Sequence, residues 1–169
     1  MRRGEGWVAL MQARLAQHAP DWSVVNASIS GETTAGGARR LAALLERHAP
    51  RLVVIELGAN DALRGLDLSL TEGNLREMVR ASRYAGARVL LLGMRVPPNY
   101  GTAYTERFAR MFGAVARAEN VPLVPFFLDG VAQHAELFQA DRIHPTEQAQ
   151  ARMLDNVWPT LARAIGAPG

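Results

Sequence analysis

Leu52-Val53-Val54-Ile55-Glu56-Leu57, running directly into Gly58-Ala59-Asn60-Asp61, is the stretch on which the fold turns. Its first six residues are almost all apolar, and they do not alternate with polar ones. A strand with one solvated face alternates; a strand covered on both faces reads as a continuous apolar run and belongs to a parallel sheet flanked by helices. Gly, Asn and Asp then favour a turn at the strand's carboxyl end.

Working outward, strand and helix alternate in both directions. Downstream, Thr71 is expected to cap a helix that carries Leu75, Met78, Val79 and Ser82 on one side. Arg88 to Leu92 reads as the next buried strand. Tyr104, Phe108, Met111, Phe112 and Val115 mark another helix, and Pro122 to Phe126 another short strand. The last helix is expected from Thr146 to Ile165, with Ala149, Met153, Val157, Leu161 and Ile165 inward. Upstream, Leu41, Leu44, Leu45 and His48 give a helix over Gly37 to His48, ended by Pro50. Trp22 to Ala27 reads as a strand, and Trp7, Leu10, Met11 and Leu15 give a helix over residues 6–18. No repeat, low-complexity tract or linker interrupts the pattern. It predicts one α/β domain over residues 1–169: a three-layer α/β/α arrangement with a parallel sheet and helices on both faces. A doubly wound sheet normally starts with a strand, whereas this chain starts with a helix. In the flavodoxin-like strand order 2-1-3-4-5 the first strand is internal, so the chain is expected to be N-terminally truncated, with that strand missing.

Composition narrows the function classes. With 169 residues, 49% hydrophobic and 21% charged, the chain suits one globular domain. It has no cysteine, which excludes disulfides, thiolate metal sites and a Cys nucleophile. The pI of 10.1 reflects 19 arginines with no lysine, while the net charge is only +3. The arginines are spread along the chain without a basic stripe interleaved with aromatics, so no nucleic-acid partner is expected. No run of 18 apolar residues occurs, and no transmembrane segment is expected. Met1-Arg2-Arg3 leads into an amphipathic segment rather than an apolar one, so no export signal is expected in these residues.

In open α/β sheets, ligands bind beyond the carboxyl ends of the strands. The residues that follow each expected strand are Ser28-Ile29-Ser30-Gly31-Glu32-Thr33, Gly58-Ala59-Asn60-Asp61, Gly93 to Gly101, and, further on, Asp141-Arg142-Ile143-His144-Pro145. A carboxylate three residues before a histidine can accept from Nδ1 and leave Nε2 as a general base. The same spacing also suits a helix-capping Asp beside a surface His. Gly31 and Asn60 can serve as oxyanion donors through a backbone N–H and a side-chain amide, although both also suit plain turns. His18 and His48 sit where helix C-termini favour a positive ring, and His134 has no evident role.

Asn26-Ala27-Ser28-Ile29-Ser30-Gly31-Glu32-Thr33, Glu56 to Gly65 and Asp141 to Pro145 resemble blocks II, III and V of the SGNH (GDSL) hydrolases. The similarity is strongest to bacterial enzymes with thioesterase, arylesterase and lysophospholipase activity. Arg95 to Gly101 and Pro122 to Phe127 resemble that subfamily too. The resemblance implies a serine esterase with the SGNH hydrolase fold. Asp141 would orient His144, and Gly31 and Asn60 would hold the oxyanion. Leu63, Arg64, Pro97, Asn99 and Tyr100 would line the acyl crevice. The substrate would be a small acyl ester or thioester, with no metal and no organic cofactor. The family's location suggests a periplasmic or secreted protein, and oligomeric state is left open. Block I, with its Gly-Asp-Ser-Leu motif, has no counterpart here, so the nucleophile is expected to be absent and the chain inactive. Ser28 and Ser30 belong to block II and are not expected to replace it. A non-catalytic binder of acyl or ester ligands, or a decayed gene product, is the alternative. A nucleotide-binding flavodoxin-like module is a further one, without a glycine-rich phosphate loop to support it.

Overall fold

The computed structural model describes residues 6–140 and 144–167. By contact the chain divides into two compact units: Ala27–Phe126, and Met1–Asn26 together with Phe127–Gly169.

The Ala27–Phe126 unit is built on a parallel sheet of β1 (Leu52–Ile55), β2 (Arg88–Leu92) and β3 (Leu123–Val124), in that order. Leu52 pairs with Arg88 and Ile55 with Leu91, while Leu91 and Leu92 pair with Leu123 and Val124. Its helices are α2 (Thr34–His48), the short α3 (Ala59–Leu63), α4 (Leu68–Tyr84) and α5 (Thr102–Glu119). α4 and α5 pack on each other and on β2. Their apolar stripes meet the sheet in one core, with Leu75, Met78 and Val79 from α4, Phe108, Phe112 and Val115 from α5, and Ile55, Val89 and Leu91 from the strands. Val89, Leu90, Leu91 and Leu92 are all buried, so β2 has the doubly covered character that a continuous apolar run implies. Phe108 and Phe112 meet edge to face at 5.2 Å.

In the other unit α1 (Trp7–His18) packs against α6 (Glu147–Ile165). Trp7, Met11 and Leu15 form the buried face of α1. Trp7 donates its backbone N–H to Gln150 Oε1 at 2.8 Å and sets its ring against Phe127 at 5.1 Å. α6 continues through Pro159 and buries Ala149, Met153, Val157 and Leu161 as its periodicity predicts, while Ile165 is only half-buried.

Several expectations are corrected. Trp22 to Ala27 forms no strand; Val24 donates to the side chain of Gln12 at 2.7 Å, and Val25 stands exposed. Apolar, β-branched composition favours an extended chain, but a strand also needs a neighbouring ladder. β1 ends at Ile55 instead of Leu57, and its first three residues are half-buried. Among the described residues β1 has β2 on one side only, so its run of apolar residues lies at an edge of the sheet rather than inside it. β3 contracts to two residues because Pro122 and Pro125 flank it and lack the N–H a ladder needs. Thr71 does not cap α4. Asp67 does, accepting from the Ser69 N–H at 2.8 Å, and Thr71 lies one turn inside, buried.

Candidate active site

Two loops of the Ala27–Phe126 unit carry most of the residues singled out above. The first runs from Ala27 to Thr33 into α2. Arg40, on α2, reaches back to it, donating to the Ala27 carbonyl at 2.6 Å and to Glu32 Oε2 at 3.2 Å. Glu32 Oε1 accepts from the Thr33 N–H at 3.1 Å, and the Thr33 hydroxyl accepts from Gly36 N–H, capping the helix. A Cβ at Gly36 would displace the Glu32 carboxylate from this position.

Gly31 adopts a left-handed φ of +76°, and a Cβ built on it would meet only Arg64 Nη2, at 3.8 Å. Its peptide is therefore open to close approach. The second loop leaves β1 at Gly58, which is also left-handed at φ +116° and lies against Phe112. It turns directly into α3, which presents Asn60, Asp61, Leu63 and, at its C-cap, Arg64.

The two loops are laced together. Asn60 Nδ2 donates to the Glu32 carbonyl at 3.1 Å, and Arg64 Nη2 donates to the Gly31 carbonyl at 2.9 Å. An amide has two N–H donors, and this bond uses one of them. The Tyr100 hydroxyl donates to the Leu63 carbonyl at 3.2 Å, tying the turn Pro98–Tyr100 to α3. Tyr104 donates to the Leu66 carbonyl at 3.0 Å. Burial, with the nearby Asp61 carboxylate and Tyr100 as further causes, raises the Tyr104 phenol above its ordinary value, so it remains a donor at neutral pH. The structure thus brings together Gly31, Asn60, Leu63, Arg64 and Tyr100, with Pro97 and Asn99 exposed at the edge of the same group.

His144 belongs to the other unit, two residues before the Thr146 cap of α6. The segment is braced by an antiparallel bridge between Phe138 and Pro145, with Gln139 N–H donating to the His144 carbonyl at 2.8 Å and Thr146 N–H to Leu137 O at 2.7 Å. His144 is exposed. Asp141 lies outside the described residues. The remaining histidines have other surroundings: His18 lies against Trp158 at 5.8 Å, His48 is exposed at the end of α2, and His134 pairs with Glu136 at 3.1 Å. No group of three or more metal-ligating side chains occurs among the described residues.

Residues 2–152 match the GDSL-like lipase/acylhydrolase family. The chain belongs to that family. It is therefore a hydrolase chain of the GDSL type, with the fold expected from the resemblance. It is 57% identical to Esterase TesA of Pseudomonas aeruginosa over 157 residues, 93% of this chain and 78% of that protein. It is 41% identical over 155 residues to Thioesterase 1/protease 1/lysophospholipase L1 of Escherichia coli, 92% of this chain and 73% of that protein. A crystal structure of TesA superposes with a TM-score of 0.94 at 54% identity, covering 97% of this chain and 91% of that one. The match of this GDSL-type chain takes in the whole of the Ala27–Phe126 unit and, of the other unit, residues 2–26 and 127–152.

Sequence reading missed one member of the α3 group. Asp61, next to Asn60, is 2% exposed and accepts from Thr34 and Thr71. No spacing rule pairs residues 27 positions apart, and Asn-Asp after glycine reads locally as turn chemistry.

Proposed function

We propose that the complete protein hydrolyses acyl esters or thioesters by a Ser-His-Asp mechanism, with the Asp, the His and two oxyanion donors in residues 1–169 and the nucleophile outside them. In this reading the serine Oγ attacks the acyl carbonyl as His144 Nε2 takes its proton. Asp141 accepts from His144 Nδ1, fixing the tautomer and stabilising the imidazolium. The Gly31 N–H and an Asn60 amide N–H receive the negative oxygen of the tetrahedral intermediate. Collapse expels the alcohol or thiol, which takes the proton from His144. Water, deprotonated by His144, then releases the acid and restores the serine. Leu63, Arg64, Pro97, Asn99 and Tyr100 line the acyl side. The reaction needs no metal or cofactor.

The observation that carries this reading is the linkage of the Asn60 amide to the Gly31 loop in a chain 57% identical to an esterase. Aryl esters, acyl thioesters and lysophospholipids are the substrate classes, following the names of the relatives. The sequence contains no Gly-Asp-Ser, so residues 1–169 alone are expected to be inactive.

The test is labelling by a serine-directed fluorophosphonate together with hydrolysis of p-nitrophenyl esters. It compares residues 1–169 with the product of the entire open reading frame. The expected result is no labelling of residues 1–169, with labelling and turnover once an upstream Gly-Asp-Ser segment is included. Stoichiometric labelling at Ser28 or Ser30 would overturn the assignment of the nucleophile. A reading frame closed upstream, with no turnover, would replace the esterase by a non-catalytic protein.

A further inference from the structure

We propose that Asp61 is a positioning residue for the oxyanion donors, holding Asn60 and the Gly31 loop in register through Thr34. The inference rests on the esterase reading, in which those two donors face the developing charge.

Asp61 is a carboxylate with 2% exposure, and the reaction as written gives it no part. A buried carboxylate is costly unless several donors meet it. Three do. The Thr34 N–H donates to Oδ2 at 2.9 Å, the Thr34 hydroxyl makes a short bond to Oδ1, and the Thr71 hydroxyl shares its one hydrogen between Oδ1 and the Asp67 carbonyl, each at 3.3 Å. Asn74 Nδ2 in turn donates to the Thr34 hydroxyl at 3.0 Å, so that oxygen both gives and receives. Thr34 is itself fully buried and is the first residue of α2, where an unpaired N–H and the positive end of the helix both favour an anion.

The consequence for the donors follows from chain connectivity. Asp61 is the residue after Asn60 on α3, and Thr34 lies three residues after Gly31. A bond between Asp61 and Thr34 therefore fixes the distance between the two loops on their buried side. The bonds from Asn60 to Glu32 O and from Arg64 to Gly31 O fix it on the accessible side. With both sides tied, neither donor can drift as charge develops, which is the preorganisation an oxyanion hole requires. The accessible bonds alone hold α3 less firmly, because the bond from Arg64 to Gly31 O is exposed to competing water.

The test uses the product of the entire reading frame, with Asp61→Asn, Thr34→Val and Thr34→Ser. Thr34→Val keeps the shape of the side chain and removes its hydroxyl, while Thr34→Ser restores the hydroxyl. The first readout is steady-state kinetics on a p-nitrophenyl ester. Asp61→Asn and Thr34→Val are expected to lower kcat about 10–100-fold with KM nearly unchanged, as for a loss confined to the transition state. Thr34→Ser is expected to recover most of the rate. The second readout is independent of turnover: NMR resonances of the Asn60 side-chain amide and the Gly31 backbone amide. These are expected to move in the first two variants and not in Thr34→Ser, while the Leu90 and Val115 amides stay in place. Wild-type kcat in both Asp61→Asn and Thr34→Val overturns the positioning role, as does an unmoved Asn60 and Gly31 pair. A shift spread equally through the core also overturns it, because it marks a merely structural role. A wild-type protein without ester hydrolysis sinks the esterase reading instead, and the resonances then decide the role of Asp61 alone.

Discussion

The Asn60 side-chain amide donates to the Glu32 carbonyl at 3.1 Å, so the residue proposed to hold an oxyanion is anchored to the loop that carries the other proposed donor. One amide hydrogen is committed to this bond, which turns the second in a fixed direction. Asn60→Ala in the complete protein is expected to lose both the donor and the anchor. The expected fall in kcat is about 10²–10³-fold, the range for removing one oxyanion donor, with KM changed far less. A variant whose KM rises while kcat holds would place Asn60 in ground-state binding instead.

His144 is exposed in a segment braced by the Phe138–Pro145 bridge, and its replacement should leave that bridge intact because the backbone makes the bonds. His144→Ala is expected to reduce turnover of the complete protein by about 10⁶-fold. Asp141→Asn is expected to cost about 10⁴-fold through the wrong imidazole tautomer. Turnover by His144→Ala within tenfold of wild type would assign the base elsewhere.

The sequence made the helices legible because their apolar stripes are long. α4, α5 and α6 bury the residues that the 3.6-residue period names, apart from the half-buried Tyr104 and Ile165. Strands were less legible, for a physical reason. Val89 to Leu92 and Leu52 to Val54 have similar composition, yet the first run is fully covered and the second is half-covered, because coverage depends on neighbours rather than on the residues themselves. Trp22 to Ala27 shows the same limit, as an extended segment that forms no strand. Within the site, Gly31, Asn60 and Arg64 stood out through motif and local chemistry. Asp61, Thr34 and Arg40 did not, since their roles come from contacts between α2, α3 and the loop before α2.

Gly93 follows β2 where the backbone leaving β3 passes close by. A Cβ there would stand 2.4 Å from the Pro125 carbonyl oxygen and 3.0 Å from that of Val124, both backbone atoms that cannot rotate away. Gly93 N–H also donates to the Val124 carbonyl at 2.8 Å, so the approach is part of the sheet. Gly93→Ala is expected to destabilise the fold by about 1–3 kcal/mol, the usual cost of overpacking. Chemical denaturation of residues 1–169 measures this, and a midpoint equal to wild type would show that the strands separate freely at that point.

Glu119 closes the junction between α4 and α5. Its carboxylate accepts from Arg80 at 2.8 Å and from Arg76 at 3.4 Å, and Arg83 donates to its backbone carbonyl at 2.7 Å. The hydrogen bonds from Arg80, aided by its charge and by Arg76, hold the Glu119 carboxyl below its ordinary range against the opposing effect of burial. A carboxylate whose folded value is depressed contributes stability above its unfolded pKa of about 4.3, and that contribution fades as pH falls through the lower folded value. The two arginines remain charged throughout, so Glu119 alone sets the window. Because the Arg80 side chain is 67% exposed, solvent screens part of the attraction, and the effect is modest. Glu119→Gln is expected to lower the Tm of residues 1–169 by about 2–4 °C at neutral pH. The gap should persist down to about pH 5, begin to shrink near the unfolded value of about 4.3 as the unfolded chain takes up its proton, and close at lower pH as the folded carboxylate is protonated. Paired thermal melts from pH 7 to pH 3 would show this convergence. A gap that stayed constant over the whole range would mean that Glu119 acts by shape, through its packing between α4 and α5, and not by charge.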